Sequence, residues 1–442
     1  MISSSGAIDT RLTLGAVMKI WLPLVFMWLI MGVEQPVIAA VIARMPDPEL
    51  NLAVFGIAFS LALVIESPII QLLAAGTALS GTKTGYRKIL AFTHLLSISL
   101  TAIHALIAVT PLFSILMRHI IQIPEELIEP SRRAFIALLP WSASIAYRRL
   151  WQGVLIKHKK TVYIPATMII RLGATSIVLF TGFFMKDTAG SLIGALSLTA
   201  GVAGGAVSAG LFSRNTIKQI PLSDNHETAE VSWKYLFRFY TPLALTSFIV
   251  LSARPILTFG IAQAPEPISS LAVWPVITAF LFLFHSIALS YQELVIALLK
   301  NRQGYGVLKK FRNYLSLSLG ILYLLAVLTP FRRFWFTGLS GLPEHLYGFV
   351  TVPVIILIPF ASIFSFISWY RGLHVWMDRT IEITRAILVN IVILLGLLFT
   401  GAFLVPVPGV VTATAAYVLS VAGEAVYFYL RKPENSIIKK LS

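Results

Sequence analysis

The chain has 442 residues, 57% hydrophobic and only 12% charged, with a mean hydropathy of +0.83, which excludes an ordinary soluble domain and leaves a protein built in a membrane. Its net charge of +16 is read as topology and contact with anionic lipid headgroups rather than nucleic-acid binding, because the cations fall in short turns between apolar segments. It contains 0 cysteines, which removes disulfides, thiolate catalysis and cysteine metal sites together.

In chain order, about twelve apolar segments are predicted to cross the bilayer, each long enough for roughly 30 Å of hydrocarbon. Their cores are 13–43, 51–79, 89–116, 134–156, 161–185, 190–213, 234–262, 268–298, 313–335, 348–372, 381–404 and 407–430. The N-terminal MISSSGAIDTR lacks a basic region and precedes a stretch too long for a cleaved signal, so that stretch is expected to be retained as the first span. With the N-terminus inside, most cations fall on one side: Lys83, Arg87 and Lys88; Lys157, Lys159 and Lys160; Arg214 and Lys218; the Lys300–Arg312 group; Arg371 and Arg379; and the tail from Arg431 to Lys440. Arg44, Arg118, Arg132, Arg133, Lys186, Arg332 and Arg333 fall on the other, a positive-inside bias that places both termini in the cytoplasm of a cell membrane.

The first half of the chain aligns with the second at an offset of 219 residues. PDPELNLAV at 46–54 falls on PEPISSLAV at 265–273, and Pro23, Pro36, Gly85, Pro111, Pro140 and Gly153 fall on Pro242, Pro255, Gly304, Pro330, Pro359 and Gly372. Helix breakers kept in register over most of a half-chain indicate a tandem duplication. The expected architecture is therefore an all-α polytopic membrane protein of two six-helix repeats, 1–213 and 233–442, joined by a cytoplasmic linker at 214–232 with SDNHETAE at its centre. Internal duplication of this kind is typical of secondary transporters, whose repeats rock about a site near the bilayer midplane.

Enzyme motifs do not survive inspection. GTALSGTKTG at 76–85 has Thr82 between its second glycine and Lys83 and no preceding strand, so it reads as a helix end and a basic turn rather than a phosphate loop. The eight histidines have no metal-ligand spacing. No catalytic residue, cofactor or metal is implied.

The chemistry is expected from ionisable residues deep in the spans, each about 2.5–3.5 kcal/mol costly on insertion scales. They are Glu34, Glu66, Arg148, Arg149, Arg171 and Arg254, with Glu293, Glu382, Arg385 and Glu424 nearer helix ends. The surplus of arginine suits a carboxylate or phosphate ligand, which a guanidinium grips bidentately. Glu34 lies just before Pro36 and Arg254 just before Pro255, so both repeats carry a first helix made flexible by a hinge proline. Two readings follow: a Glu34–Arg254 salt bridge that locks the halves, or a gate pair in which Glu34 binds a proton or cation and frees Arg254 for an anion. In the fourth helix, Arg149 and Gln152 share a face and are favoured for the cavity, with Arg148 left to reach lipid phosphate. Arg171 faces the same cavity or anchors a helix contact, and Glu66, beside Pro68, is a second coupling-ion candidate.

The paired repeats, the carboxylate in a proline-bent first helix and the QG at 152–153 resemble the multidrug, oligosaccharidyl-lipid and polysaccharide (MOP) exporter superfamily, MATE-like in form. The strings GVEQPVIAAVIA, SRRAFIALLP, GVLIKHK and SARPILTFGIA are similar to its progressive ankylosis branch. The resemblance implies a V-shaped cavity between the halves and export of a small organic or phosphate-bearing anion, with Glu34, Gln35 and Arg254 at matching motif positions. The expected function is alternating-access export coupled to H⁺ or Na⁺, by a monomer with no nucleic-acid partner. The rivals are a cationic-drug antiporter, a lipid-linked sugar flippase and a non-transporting membrane scaffold.

Overall fold

A computed structural model describes residues 12–185, 187–222, 232–377, 379–433 and 437. The centre of the expected linker, Lys186, the N-terminal MISSSGAIDTR and most of the basic tail lie outside these. In repeat one the helices are α1 (Leu14–Ile42), α2 (Pro48–Glu66), α3 (Leu72–Leu79), α4 (Lys83–Val109), α5 (Leu112–Ile115), α6 (Glu125–Ala137), α7 (Leu139–Lys157), α8 (Tyr163–Phe184) and α9 (Gly190–Lys218). In repeat two they are α10 (Trp233–Ala262), α11 (Pro267–Leu298), α12 (Arg302–Leu328), α13 (Phe331–Arg333), α14 (Glu344–Ile356), α15 (Phe360–Trp376), α16 (Thr380–Leu404) and α17 (Gly409–Leu430).

Among the described residues, ten helical stretches are long and apolar enough to span a membrane, or eleven if the bent pair α14 and α15 counts as one. The fourth expected span is α7, whose Arg148, Arg149 and Gln152 leave it less apolar than its neighbours.

The same local signals start the same helices in both copies. Thr82 caps α4 by accepting from the Gly85 amide, and Asn301 caps α12 by accepting from Gly304. Asp47 and Glu266, both left-handed, precede the N-terminal prolines of α2 and α11. The copies part company at Glu66. There α2 gives way to a 3₁₀ segment, Ser67–Gln71, whereas α11 runs unbroken through His285, the residue at the matching offset. Pro68 cannot donate to the Val64 carbonyl, and the Ser67 hydroxyl takes that acceptor at 2.6 Å.

The halves meet along α1 against α11 and α2 against α10 and α11. The Trp21 indole donates to Ser290 across this seam at 2.9 Å, and Gln71 donates to Ser247 at 2.6 Å. Lipid tails are as apolar as the side chains here, so close packing and cross-helix hydrogen bonds hold the halves together.

At the face remote from residue 14, the turns brace the two halves in duplicate. Arg44, after α1, donates to the carbonyls of Gly338 (2.5 Å) and Leu339 (2.9 Å) in repeat two, and to its own Ala40 carbonyl at 2.7 Å. Its counterpart Gln263 crosses the other way and donates to the Gln122 carbonyl at 3.3 Å. Gln122 and Gly341 are themselves counterparts; both adopt positive φ, and both follow π-helical turns, Leu116–Ile121 and Phe334–Leu339. Gly341 has φ +67°, and a Cβ there would come within 2.5 Å of the Arg44 guanidinium, so the seat requires glycine twice over. Glu49 adds a third link, accepting from Ser269 at 2.5 Å and pairing with His345 at 3.3 Å.

Arg44→Ala should loosen this brace. Its hydrogen bonds are of the charged-donor kind, each contributing about 1.5–3 kcal/mol, enough to shift an open–closed equilibrium about tenfold or more. Because the chain has no native cysteine, a single Ala253→Cys label next to Arg254 reports the change as faster modification from the braced face. An unchanged rate would mean the brace does not set the equilibrium.

Candidate functional site

Glu34 lies two residues before Pro36 within α1 and faces repeat one. Its carboxylate is 4% exposed and accepts from Arg171 Nε (3.1 Å) and Thr175 Oγ1 (2.9 Å) on α8, with a further close contact to Arg171 Nη2. The expected Glu34–Arg254 pairing is therefore corrected: the partner is Arg171. The 219-residue register explains why, since Arg254 matches Gln35 rather than Glu34, and one residue turns a helical side chain by about 100°. Arg171 is thereby assigned to a helix contact as well as to the charged centre.

Arg254 has no carboxylate within 4.0 Å among the described residues. Its side chain is exposed although it lies mid-helix. Its guanidinium carbon sits 5.6 Å over the Phe59 ring of α2. Pro255 immediately follows, as expected for a hinge, and the Arg254 carbonyl accepts from Thr258 at 3.1 Å.

Around α7 the two adjacent arginines diverge. Tyr147 bonds His94 of α4 at 2.7 Å, and Trp151 packs on Gly210 of α9. Arg149 lies two residues, about 200°, from each of them, on the opposite side of the helix. It shares that face with Ser142, seven residues earlier, whose hydroxyl donates to Glu66 at 3.3 Å. Arg149 is half-buried and its Nε has no partner. Arg148 does not reach lipid. It is 3% exposed and packed between α8 and α9 against Met168 (3.9 Å to sulfur) and Gly205. Gln152 shares Arg148's face, not Arg149's, and donates to Thr167 at 3.2 Å, because the i to i+4 spacing brings both toward α8.

Glu66 is fully buried at the break between α2 and the 3₁₀ segment. Ser142 is its hydrogen-bond partner, and Oε2 has none. A carboxyl group held this way in the membrane interior is costly.

Repeat two holds a cluster that the sequence reading scattered between topology and helix ends. Arg371 donates to Glu424 Oε1 from Nε (3.1 Å) and Nη2 (2.5 Å), and Asn390 donates to Oε2 at 3.0 Å. The signal was available in the repeat, since Arg371 matches Gln152 and Asn390 matches Arg171. Among the described residues, five buried or mid-helix arginines (Arg148, Arg149, Arg171, Arg254 and Arg371) accompany three carboxylates (Glu34, Glu66 and Glu424), and Arg148, Arg149 and Arg254 have no carboxylate within 4.0 Å. Among the described residues no group of three or more His, Asp or Glu could hold a metal ion.

Two helical bundles of this order form the MATE-type fold, and solved structures agree with it over nearly the whole chain. An inward-facing multidrug resistance MATE family transporter of the MOP superfamily matches with a TM-score of 0.74 at 15% identity, covering 93% of this chain and 96% of its own. An outward-facing structure of that description matches at 0.55 and 13%, covering 96% and 93%. A MOP superfamily transporter from Pyrococcus furiosus Vc1, described as having a binding pocket of reverse polarity that suggests a different function, matches at 0.65 and 13%, covering 99% and 100%. No curated protein matches in sequence. The family model of the progressive ankylosis protein (ANKH) matches residues 10–285, and the chain belongs to that family. Its family and fold are those of membrane transporters, not enzymes.

Proposed function

We propose that this transporter exports a small polyvalent anion, a polycarboxylate or a phosphate-bearing compound, and couples its movement to H⁺ or Na⁺ at Glu34. The observation that carries the proposal is that Arg254, exposed in mid-helix, and Arg149, on the face of α7 opposite Tyr147 and Trp151, have no carboxylate within 4.0 Å among the described residues. Guanidinium groups left without internal carboxylates are seats for external ones. The reverse-polarity pocket described for the Pyrococcus relative is consistent with a member of this fold that handles charge of the other sign. Glu66 is a second coupling position, and Pro36 and Pro255 are the hinges about which repeats 1–213 and 233–442 rock, with 214–232 as the linker. The duplicated brace at the face remote from residue 14 supports an inward-open state, given the positive-inside orientation with both termini in the cytoplasm.

The coupling logic differs from that of a Glu34–Arg254 gate. While Glu34 is charged it occupies Arg171. A proton or Na⁺ on Glu34 releases Arg171, so cation and anion binding favour each other, and by linkage each raises the other's affinity equally. A polyvalent anion moving with one cation still carries net negative charge, and the inside-negative potential drives it outward.

The test is counterflow in proteoliposomes with labelled citrate, pyrophosphate, ATP and an organic cation dye. Anion exchange should strengthen as the pH falls or as Na⁺ is added, and Glu34→Gln should remove that dependence. Dye movement without anion movement would make the chain a cationic-drug antiporter, and movement of none of them would turn attention to lipid-linked sugars.

A further inference from the structure

The duplication allows each half to be read against the other, and one position stands out. In repeat two the bundle of α15, α16 and α17 contains a complete ionic cluster of Arg371, Asn390 and Glu424. At the matching offset, Glu424 becomes Gly205. Gly205 faces a guanidinium side chain just as Glu424 does: a Cβ built there would lie 3.1 Å from Cδ of Arg148. Arg148 is one turn before Gln152, the counterpart of Arg371, on the same face of its helix. Repeat one thus places a buried arginine one turn away from the position of Arg371 and has glycine where repeat two has its carboxylate. Arg148 is 3% exposed, and among the described residues its Nε has no hydrogen-bond partner and its guanidinium reaches the weak acceptor sulfur of Met168 at 3.9 Å, with Glu34 and Glu66 near enough to act on its charge but not within 4.0 Å.

An arginine inside a membrane bundle is normally paired, because an uncompensated buried charge is strongly unfavourable. We propose that the missing partner comes from outside: Arg148, between α7, α8 and α9, is the seat of an exogenous oxyanion group, a single carboxylate or phosphoryl head that takes the place Glu424 holds in repeat two. Arg149 brings further positive charge to the same half, where Arg171 is already paired with Glu34, and the Gln152 amide N–H is donated to Thr167. The group is either one end of the transported anion or a resident inorganic anion. The role in transport rests on the anion-export reading, whereas the seat itself requires only that an anion bind.

The test begins with the unmodified full-length chain in detergent, carrying ¹³C-methyl methionine, with the Met168 signal assigned through Met168→Leu. Titration with inorganic phosphate should shift the Met168 methyl resonance saturably, and Arg148→Gln should weaken that binding about tenfold or more, as expected for loss of a charged hydrogen-bond donor. Gly205→Glu, which restores the repeat-two arrangement beside the flexible Arg148 stem, should abolish the phosphate-induced shift. If citrate or pyrophosphate displaces phosphate and Arg148→Gln raises the KM for anion counterflow, the seat takes the head of the transported anion. If phosphate or chloride binds in an Arg148-dependent way without competing with those anions, the seat holds a resident ion, and the proposal stands. A Met168 resonance indifferent to phosphate, chloride, citrate and pyrophosphate overturns it, whatever counterflow shows. Absence of anion counterflow with an intact phosphate shift would instead remove the export reading alone.

Discussion

Arg171→Ala should destabilise the protein by about 3–5 kcal/mol, the range for removing one partner of a buried ion pair and stranding the other. Glu34 would be left 4% exposed with Thr175 as its remaining donor. The loss would appear as a lower thermal midpoint in detergent. The double variant Glu34→Gln/Arg171→Gln should recover most of the loss, since two amides can hydrogen-bond without a buried charge. If Arg171→Ala melts with the wild type at neutral pH, the pair contributes little and its role in coupling falls with it.

Arg254→Ala should weaken anion binding by about 2–5 kcal/mol, the range for losing one member of a desolvated charge pair, or between about 30-fold and several thousand-fold in affinity. Stability should change little, because Arg254 is exposed and, among the described residues, has no carboxylate within 4.0 Å to strand. That combination distinguishes it from Arg171, where stability falls first. Arg333, an exposed residue paired with Glu344 at 2.7 Å, is the control and should affect neither quantity. Anion counterflow with a wild-type KM in Arg254→Ala would remove Arg254 from the substrate path.

The sequence made the helix pattern legible because spans announce themselves by length and hydropathy, and the duplication because prolines and glycines cannot drift without breaking helices. It was weaker where a single residue of register matters. Glu34 and Arg254 lie beside corresponding prolines, yet they are offset by one position and face different neighbours. On α7 the 3.6-residue period correctly separated Arg148 from Arg149, but i+3 and i+4 both lie near a given face, and Gln152 went with Arg148. Arg371 and Glu424 were taken for a topology cation and a helix-end acid because their 53-residue separation hides a contact that only the packing of α15 on α17 creates.

The brace at the far face is built by exchange: Arg44 of repeat one seats on repeat two, and Gln263 of repeat two seats on repeat one. Breaking either link leaves its twin holding the free groups at a high effective concentration, so the broken link reforms before the halves diffuse apart. Separation therefore requires both, and the Glu49 link beside them, to release in the same event. Partly open states with one seat vacant should be short-lived, and Arg44→Ala combined with Gln263→Ala should open the face by more than the product of the two separate effects.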